Sequence, residues 1–120
     1  MANTLKLFLA ITYATLTINV NAKSDASGLI DLTNDGTYAG SCWALALDAS
    51  VTLDLPFKDR KYLQDSAKRF QNTLDKMNQG NEQLRTQASM GQNARSKTSG
   101  MLEKKVPQQK IMLGLQTCQL

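Results

Sequence analysis

Cys42 and Cys118 are the only cysteines in the chain of 120 residues, and whether they meet constrains every fold the chain can adopt. Two cysteines allow a single intramolecular pairing. That bridge closes a loop of about 77 residues, for which the chain-entropy model gives ~4.5 kcal/mol. A domain of this size has only ~5–15 kcal/mol of net stability, so one bridge can decide whether it folds. Two free thiols or an intermolecular bridge are the alternatives, and the compartment chooses among them.

Residues 1–22 carry the pattern of a cleavable signal peptide. Lys6 is their only charge, Leu7–Val20 is a mostly apolar stretch of 14 residues, and Val20-Asn21-Ala22 suits a signal-peptidase cut before Lys23. Four Thr or Asn residues dilute the stretch, which falls short of the ~20 residues of a membrane span. An uncleaved anchor or a buried amphipathic helix is the competing reading. Export makes the protein periplasmic or secreted, with residues 23–120 entering an oxidising compartment where the Cys42–Cys118 disulfide forms. No later segment of the sequence is apolar enough to cross a bilayer.

The mature part reads as a turn-rich segment, 23–40, followed by a helical domain, 41–120. Asn34-Asp35-Gly36 is a turn signal, and Leu29, Ile30 and Leu32 form a small apolar island. Ser41 is placed to cap a helix. Cys42, Leu45, Ala46, Ala49 and Leu53 recur on one helical face, and Trp43, Leu47 and Val51 line the adjacent one, which predicts a largely buried helix. Its tail, Ala49 to Phe57, also alternates like a strand. Pro56 ends that element.

From Lys58 the spacing is clearest. Leu63, Ala67, Phe70, Leu74, Met77, Asn81, Leu84 and Ala88 step by four and three, as in a coiled-coil seam. One helix from 58 to 97 would be ~60 Å long, far beyond the width of such a domain. Gly80 among Asn and Gln residues therefore predicts a helix–helix turn. Residues 78–100 are rich in Asn, Gln, Ser, Thr and Gly, which predicts a weak or frayed helix, and Ser99-Gly100 marks the next break. Ile111, Met112, Leu115 and Cys118 form a last stripe, with Pro107 in its first turn. In an up-and-down bundle, cysteines opening the first helix and closing the last meet only if the helix number is even. The expected fold is all-α, a small up-and-down bundle of four helices closed by one long-range disulfide.

No His is present, which removes imidazole acid–base chemistry and His-ligated zinc. Asp31 to Gly36 resembles the opening of an EF-hand loop, but position three is Thr33 and position twelve is Cys42 instead of a bidentate Glu. Asp48 and Asp54 do not share a helical face, and neither a Gly-x-Ser-x-Gly elbow nor a Ser-x-x-Lys motif occurs. The chain is expected to be no enzyme, with no catalytic residues, metal or cofactor.

Charge is divided along the chain. Residues 23–56 hold one Lys against five Asp, a net of −4, while 57–120 hold twelve Lys or Arg against five acids, a net of +7. Facing halves or solvated helix faces would account for this, as would a surface that steers an acidic partner. The clusters Lys58-Arg60-Lys61, Lys68-Arg69 and Lys104-Lys105 suit an anionic lipid, a glycan or an acidic protein patch better than nucleic acid, which an exported protein rarely meets. Lys58, Arg60, Lys61, Lys68, Arg69 and Arg85 are the candidate partner-binding residues.

This organisation is similar to two types of small exported helical protein with one long-range disulfide: acid-stress chaperones of the bacterial periplasm, and immunity proteins that block toxins delivered between bacteria. The stretch Tyr38-Ala39-Gly40-Ser41-Cys42-Trp43 resembles the cysteine-bearing helix of some immunity families, without their later glycines. The resemblance implies a non-catalytic inhibitor or immunity protein acting on an enzyme or toxin in the cell envelope, its partner a protein. The alternative is a periplasmic chaperone, or a structural component of an envelope or secretion assembly, using 78–100 as a mobile surface.

Overall fold

Asn34 starts the first helix seven residues before the position that Ser41 suggests. Its side chain accepts the Thr37 N–H at 2.9 Å, and the Thr37 hydroxyl accepts the Asn34 N–H at 3.0 Å, a reciprocal cap. The computed structural model describes residues 23–120, and the signal peptide expected over 1–22 lies outside the described residues. Four helices follow in order: α1 (Asp35–Thr52), α2 (Phe57–Asn78), α3 (Glu82–Leu102) and α4 (Gln108–Thr117). The protein is all-α, and Cys42 is bonded to Cys118 across a Cα–Cα distance of 5.8 Å.

Asn34-Asp35-Gly36 is thus a cap and not a free turn. Asn serves both purposes, and the sequence pattern does not separate them. Ser41 sits inside α1, fully buried, where its hydroxyl donates to the Thr37 carbonyl at 2.8 Å and accepts the Asp31 N–H at 3.0 Å. Cys42 is accordingly a mid-helix residue, and the helix ends at Thr52, followed by an extended Leu53. The strand-like alternation of 49–57 is divided between the last helical turn and the connection to α2.

Contact registers give the directions. Gly36 lies against Gln87 and Gly40 against Gly91, so α1 and α3 run parallel. The short connection 79–81 makes α2 and α3 antiparallel. Cys42 meets Cys118 while Leu45 meets Gly114, so α4 runs antiparallel to α1. The result is up-down-up-down, with α1 touching each of the other three helices and α4 approaching no helix but α1.

α1 is buried on most sides because its residues are small: Gly36, Ala39, Gly40, Ala44, Ala46 and Ala49 are all buried. A Cβ at Gly40 would overlap the Gly91 carbonyl, and one at Gly36 the Gln87 carbonyl. The two backbones are in direct contact. Such closeness gives many dispersion contacts and Cα–H···O approaches, and it is open only to glycine.

The main core joins Leu29, Ile30, Leu45, Leu63, Leu102, Ile111 and Leu115 around the disulfide. A second cluster of Ala39, Leu74, Met77 and Ala88 lies between α1, α2 and α3. The coiled-coil spacing holds from Leu63 to Met77 and stops there. Asn81 is instead the cap of α3, accepting the Leu84 N–H at 2.9 Å, and Leu84 is exposed. Residues 82–102 form one continuous helix against α1, where sequence composition suggests fraying; Ala88, Gly91, Ala94, Thr98 and Leu102 are buried. Tertiary packing overrides weak helix propensity there. Gly100 is helical, and the break falls after Leu102, where Lys105 adopts a left-handed backbone with φ 60°. Met112 departs from the last stripe and is exposed, while Ile111 and Leu115 are buried.

The N-terminal segment 24–31 forms a strap closed by one antiparallel bridge between Ser24 and Asp31. Asp25 anchors it, accepting hydrogen bonds from Ser27 Oγ at 2.6 Å, the Ile30 N–H at 3.1 Å and Thr117 Oγ1 at 2.6 Å. The Thr98 hydroxyl donates to the Leu29 carbonyl at 2.9 Å. Leu29 and Ile30 are thereby set in the core, while Leu32 is left exposed.

Three stability experiments test this packing. Replacing both cysteines with Ser should lower unfolding free energy by about 4.5 kcal/mol in urea titrations. Gly40→Ala should cost about 2–3 kcal/mol through forced separation of α1 and α3. Gly100→Ala, where a Cβ meets nothing within 4 Å, should stabilise by about 0.5–1 kcal/mol, because glycine is a poor helix former.

Candidate functional site

The face of α1 carrying Trp43, Leu47 and Val51 is the part of that helix left open. The pattern of the sequence suggests that this face is buried; instead Leu47 is 42% and Val51 70% exposed, with Trp43 half-buried. The physical reason lies in α3. The glycine contacts hold the helices together at Gly36–Gln87 and Gly40–Gly91, and further along a cavity of about 230 Å³ opens, lined by Ala44, Leu47, Asp48, Val51, Arg95 and Ser99. Phe57, at the start of α2, is also exposed, at 74%.

Arg95 organises this notch. Its guanidinium carbon lies 4.0 Å from the centroid of the Trp43 ring, close enough for a cation–π contact. Its Nε is buried with no hydrogen-bond partner. No acidic side chain forms an ion pair with it among the described residues, where Lys61–Asp65 is the one ion pair present. Asp48 shares the notch; burial raises its pKa above the ordinary carboxylate value, opposed by a hydrogen bond from Thr52.

The six basic candidates do not converge on one point. Lys58, Lys61, Lys68 and Arg69 lie on the outer side of α2, away from Leu63, Ala67 and Leu74, as about 100° per residue requires. Arg60 is turned toward the preceding connection and donates to the Leu55 carbonyl at 2.8 Å. Arg85 is at the other end of the bundle, donating to the Gly80 carbonyl at 2.7 Å. The i,i+4 pair on α2 is Lys61–Asp65, at 3.1 Å, in place of the Asp65–Arg69 pair that spacing suggests. Arg69 bonds Ser66 Oγ at 2.8 Å and lies 5.9 Å from the Tyr62 ring centroid. No ion pair joins the acidic and basic halves among the described residues.

Asp31, the first residue of the EF-hand-like stretch, uses its carboxylate locally, accepting the Thr33 N–H at 2.9 Å. Burial alone would raise its pKa. The hydrogen bonds from Thr33 and Thr37, with the charge of Lys97, outweigh that and hold it below the usual value. Among the described residues no group of three or more His, Cys, Asp or Glu side chains is arranged to hold a metal ion, and no helix is long and apolar enough to cross a membrane.

Sequence reasoning missed Arg95. It stands alone in a polar stretch, 52 positions from Trp43, and only the α1–α3 contact brings the two together. No protein-family model matches the chain. No curated protein and no solved structure matches it either.

The two perturbed aspartates make opposite predictions. Asp31 is depressed in the fold, so its stabilisation is present above the unfolded pKa and is lost as pH falls below about 3.8 toward the folded value. Asp31→Asn should therefore destabilise at pH 7 and have less effect near pH 2. Asp48 is raised, so its ionisation costs folding stability at neutral pH, and that cost is removed as the group is protonated in acid. Asp48→Asn should stabilise at pH 7, with the gain vanishing in acid; urea midpoints at the two pH values measure both effects.

Proposed function

We propose that this protein is an exported, non-catalytic binding protein that inhibits or neutralises an enzyme or toxin in the bacterial cell envelope, one molecule to one. The observation that carries the reading is the Trp43–Arg95 stack with uncovered Leu47 and Val51 beside it. Tryptophan and arginine are the residue types most enriched at the energetic centres of protein interfaces. An apolar surround excludes water from such a centre, and a partner carboxylate would pair with the Arg95 guanidinium, which has no acidic partner among the described residues.

Rigidity favours the same reading. Trp43 follows Cys42 directly, so the disulfide restrains the backbone that presents it. A pre-organised surface loses less entropy on binding. The disulfide also favours the oxidising compartment that the pattern of residues 1–22 suggests. Lys58, Lys61, Lys68 and Arg69, lying outside the notch, act on approach by steering an acidic partner.

The full chain, tagged at its C-terminus and expressed in its native envelope, tests this. One enzyme or toxin should co-purify near one-to-one and lose activity in the complex. Leu47→Asp, a change at an exposed position, should weaken that complex about thirtyfold. Lys58→Glu with Lys61→Glu and Lys68→Glu should slow association at low salt and leave dissociation unchanged. Recovery of many unrelated proteins, or equal recovery with Leu47→Asp, would overturn the reading.

A further inference from the structure

The Lys104-Lys105 pair belongs to neither the notch nor the outer side of α2. It borders a cavity of about 310 Å³ between the strap, the end of α3 and the connection to α4, with Leu29, Met101 and Val106 as apolar walls and Lys110 as a third cation. No carboxylate lines this cavity, and none of the three lysines is in an ion pair. A second cavity of about 210 Å³ shares Gly28, Leu29 and Met101 with the first and continues along α3 past Thr98 to Ala94, with Asp31 and Lys97 at its far end. Their shared walls set the two side by side as one groove, cationic at the Lys104 end, apolar in its middle at Leu29, Met101 and Val106, and polar at its far end, over a helix span of about 15 Å from Lys104 back to Ala94.

We infer that this groove binds a single-chain anionic amphiphile, its phosphate or carboxylate head among Lys104, Lys105 and Lys110 and its alkyl tail between the strap and α3. The lysines account for the charge of the ligand. The strap's backbone accounts for the nature of the tail. The Leu29 N–H donates to Ser27 Oγ at 3.0 Å and its carbonyl accepts from Thr98, while the Ile30 N–H donates to Asp25 and its carbonyl accepts from the Asp25 N–H. Every main-chain group of those two residues is already used. A peptide laid against them would bury its own N–H and C=O groups without partners, whereas a hydrocarbon chain has none to satisfy. The Thr98 bond holds the strap to α3, so the groove exists before the ligand arrives. It shares no lining residue with the notch of Leu47, Val51 and Arg95, and does not depend on the binding role proposed for the notch.

The test is NMR titration of the disulfide-bonded mature chain with decyl phosphate below its micelle concentration, reading Gly28, Leu29, Met101 and Val106. These resonances should shift saturably, and octyl phosphate should bind about tenfold more weakly, as burial of two fewer methylenes requires. Replacing Lys104, Lys105 and Lys110 with Gln, all at exposed positions, should weaken decyl phosphate at least tenfold while the rest of the spectrum is preserved. Equal binding of neutral decyl maltoside, shifts centred on Leu47 and Val51, or no saturation would overturn the proposal. So would inorganic phosphate reproducing the lysine shifts without Leu29 or Met101, which would mark a simple anion site. An acidic peptide saturating the groove where the amphiphile does not would assign it to a protein. Sedimentation with phosphatidylglycerol vesicles while Leu29 and Met101 stay unshifted would assign the lysines to a bilayer surface and overturn the cavity.

Discussion

Direct backbone contact between α1 and α3 is the constraint on which the rest of this structure depends. Gly36, Gly40 and Gly91 let two helices approach more closely than any side chain would permit. That approach holds 82–102, a stretch whose composition favours fraying, as one continuous helix by giving Ala88, Gly91, Ala94 and Thr98 a surface to pack on. It also makes α1 a central helix. A helix of alanines, glycines and serines can be surrounded on several sides because nothing on it keeps its neighbours away.

The disulfide has a different task. α4 is only ten residues long and approaches α1 alone among the helices, so its apolar stripe of Ile111 and Leu115 has little area with which to hold it. Cys118 ties its end to the middle of α1, Tyr38 donates to the Thr117 carbonyl at 3.1 Å, and Thr117 donates to Asp25 at 2.6 Å. Three parts of the fold, the strap, the centre of α1 and the tail of α4, are joined at one place. With these parts so fastened, the surfaces beside α3 are presented by a stiff frame.

The parts of the fold legible in the sequence are those set within a few neighbouring residues. Leu63 to Met77 read as a helix face and are one. Gly80 reads as a turn and Pro107 as a helix start, and both positions follow from backbone rules that need no tertiary context. The misreadings have local causes too. Asn34 satisfies a turn and a cap with the same side-chain chemistry, so the start of α1 shifted by two turns. Gly100 breaks nothing because the burial of Leu102 just beyond it outweighs the cost of one helical glycine of about 1 kcal/mol.

The candidate surfaces divide in the same way. Sequence alone established the helical periodicities, the single possible cysteine pair and the excess of positive charge after residue 56, because periodicity, parity and charge are properties of the chain itself. Tertiary structure decided which face of α1 stays open, that Arg95 lies over Trp43, and that Lys104, Lys105 and Lys110 share a cavity with Leu29. Each of those depends on segments far apart in the chain meeting at distances set by glycine contacts and one hydroxyl bond from Thr98 to the strap. No local pattern encodes such a meeting, since the residues that permit it carry little or no side chain to leave a mark in the periodicity.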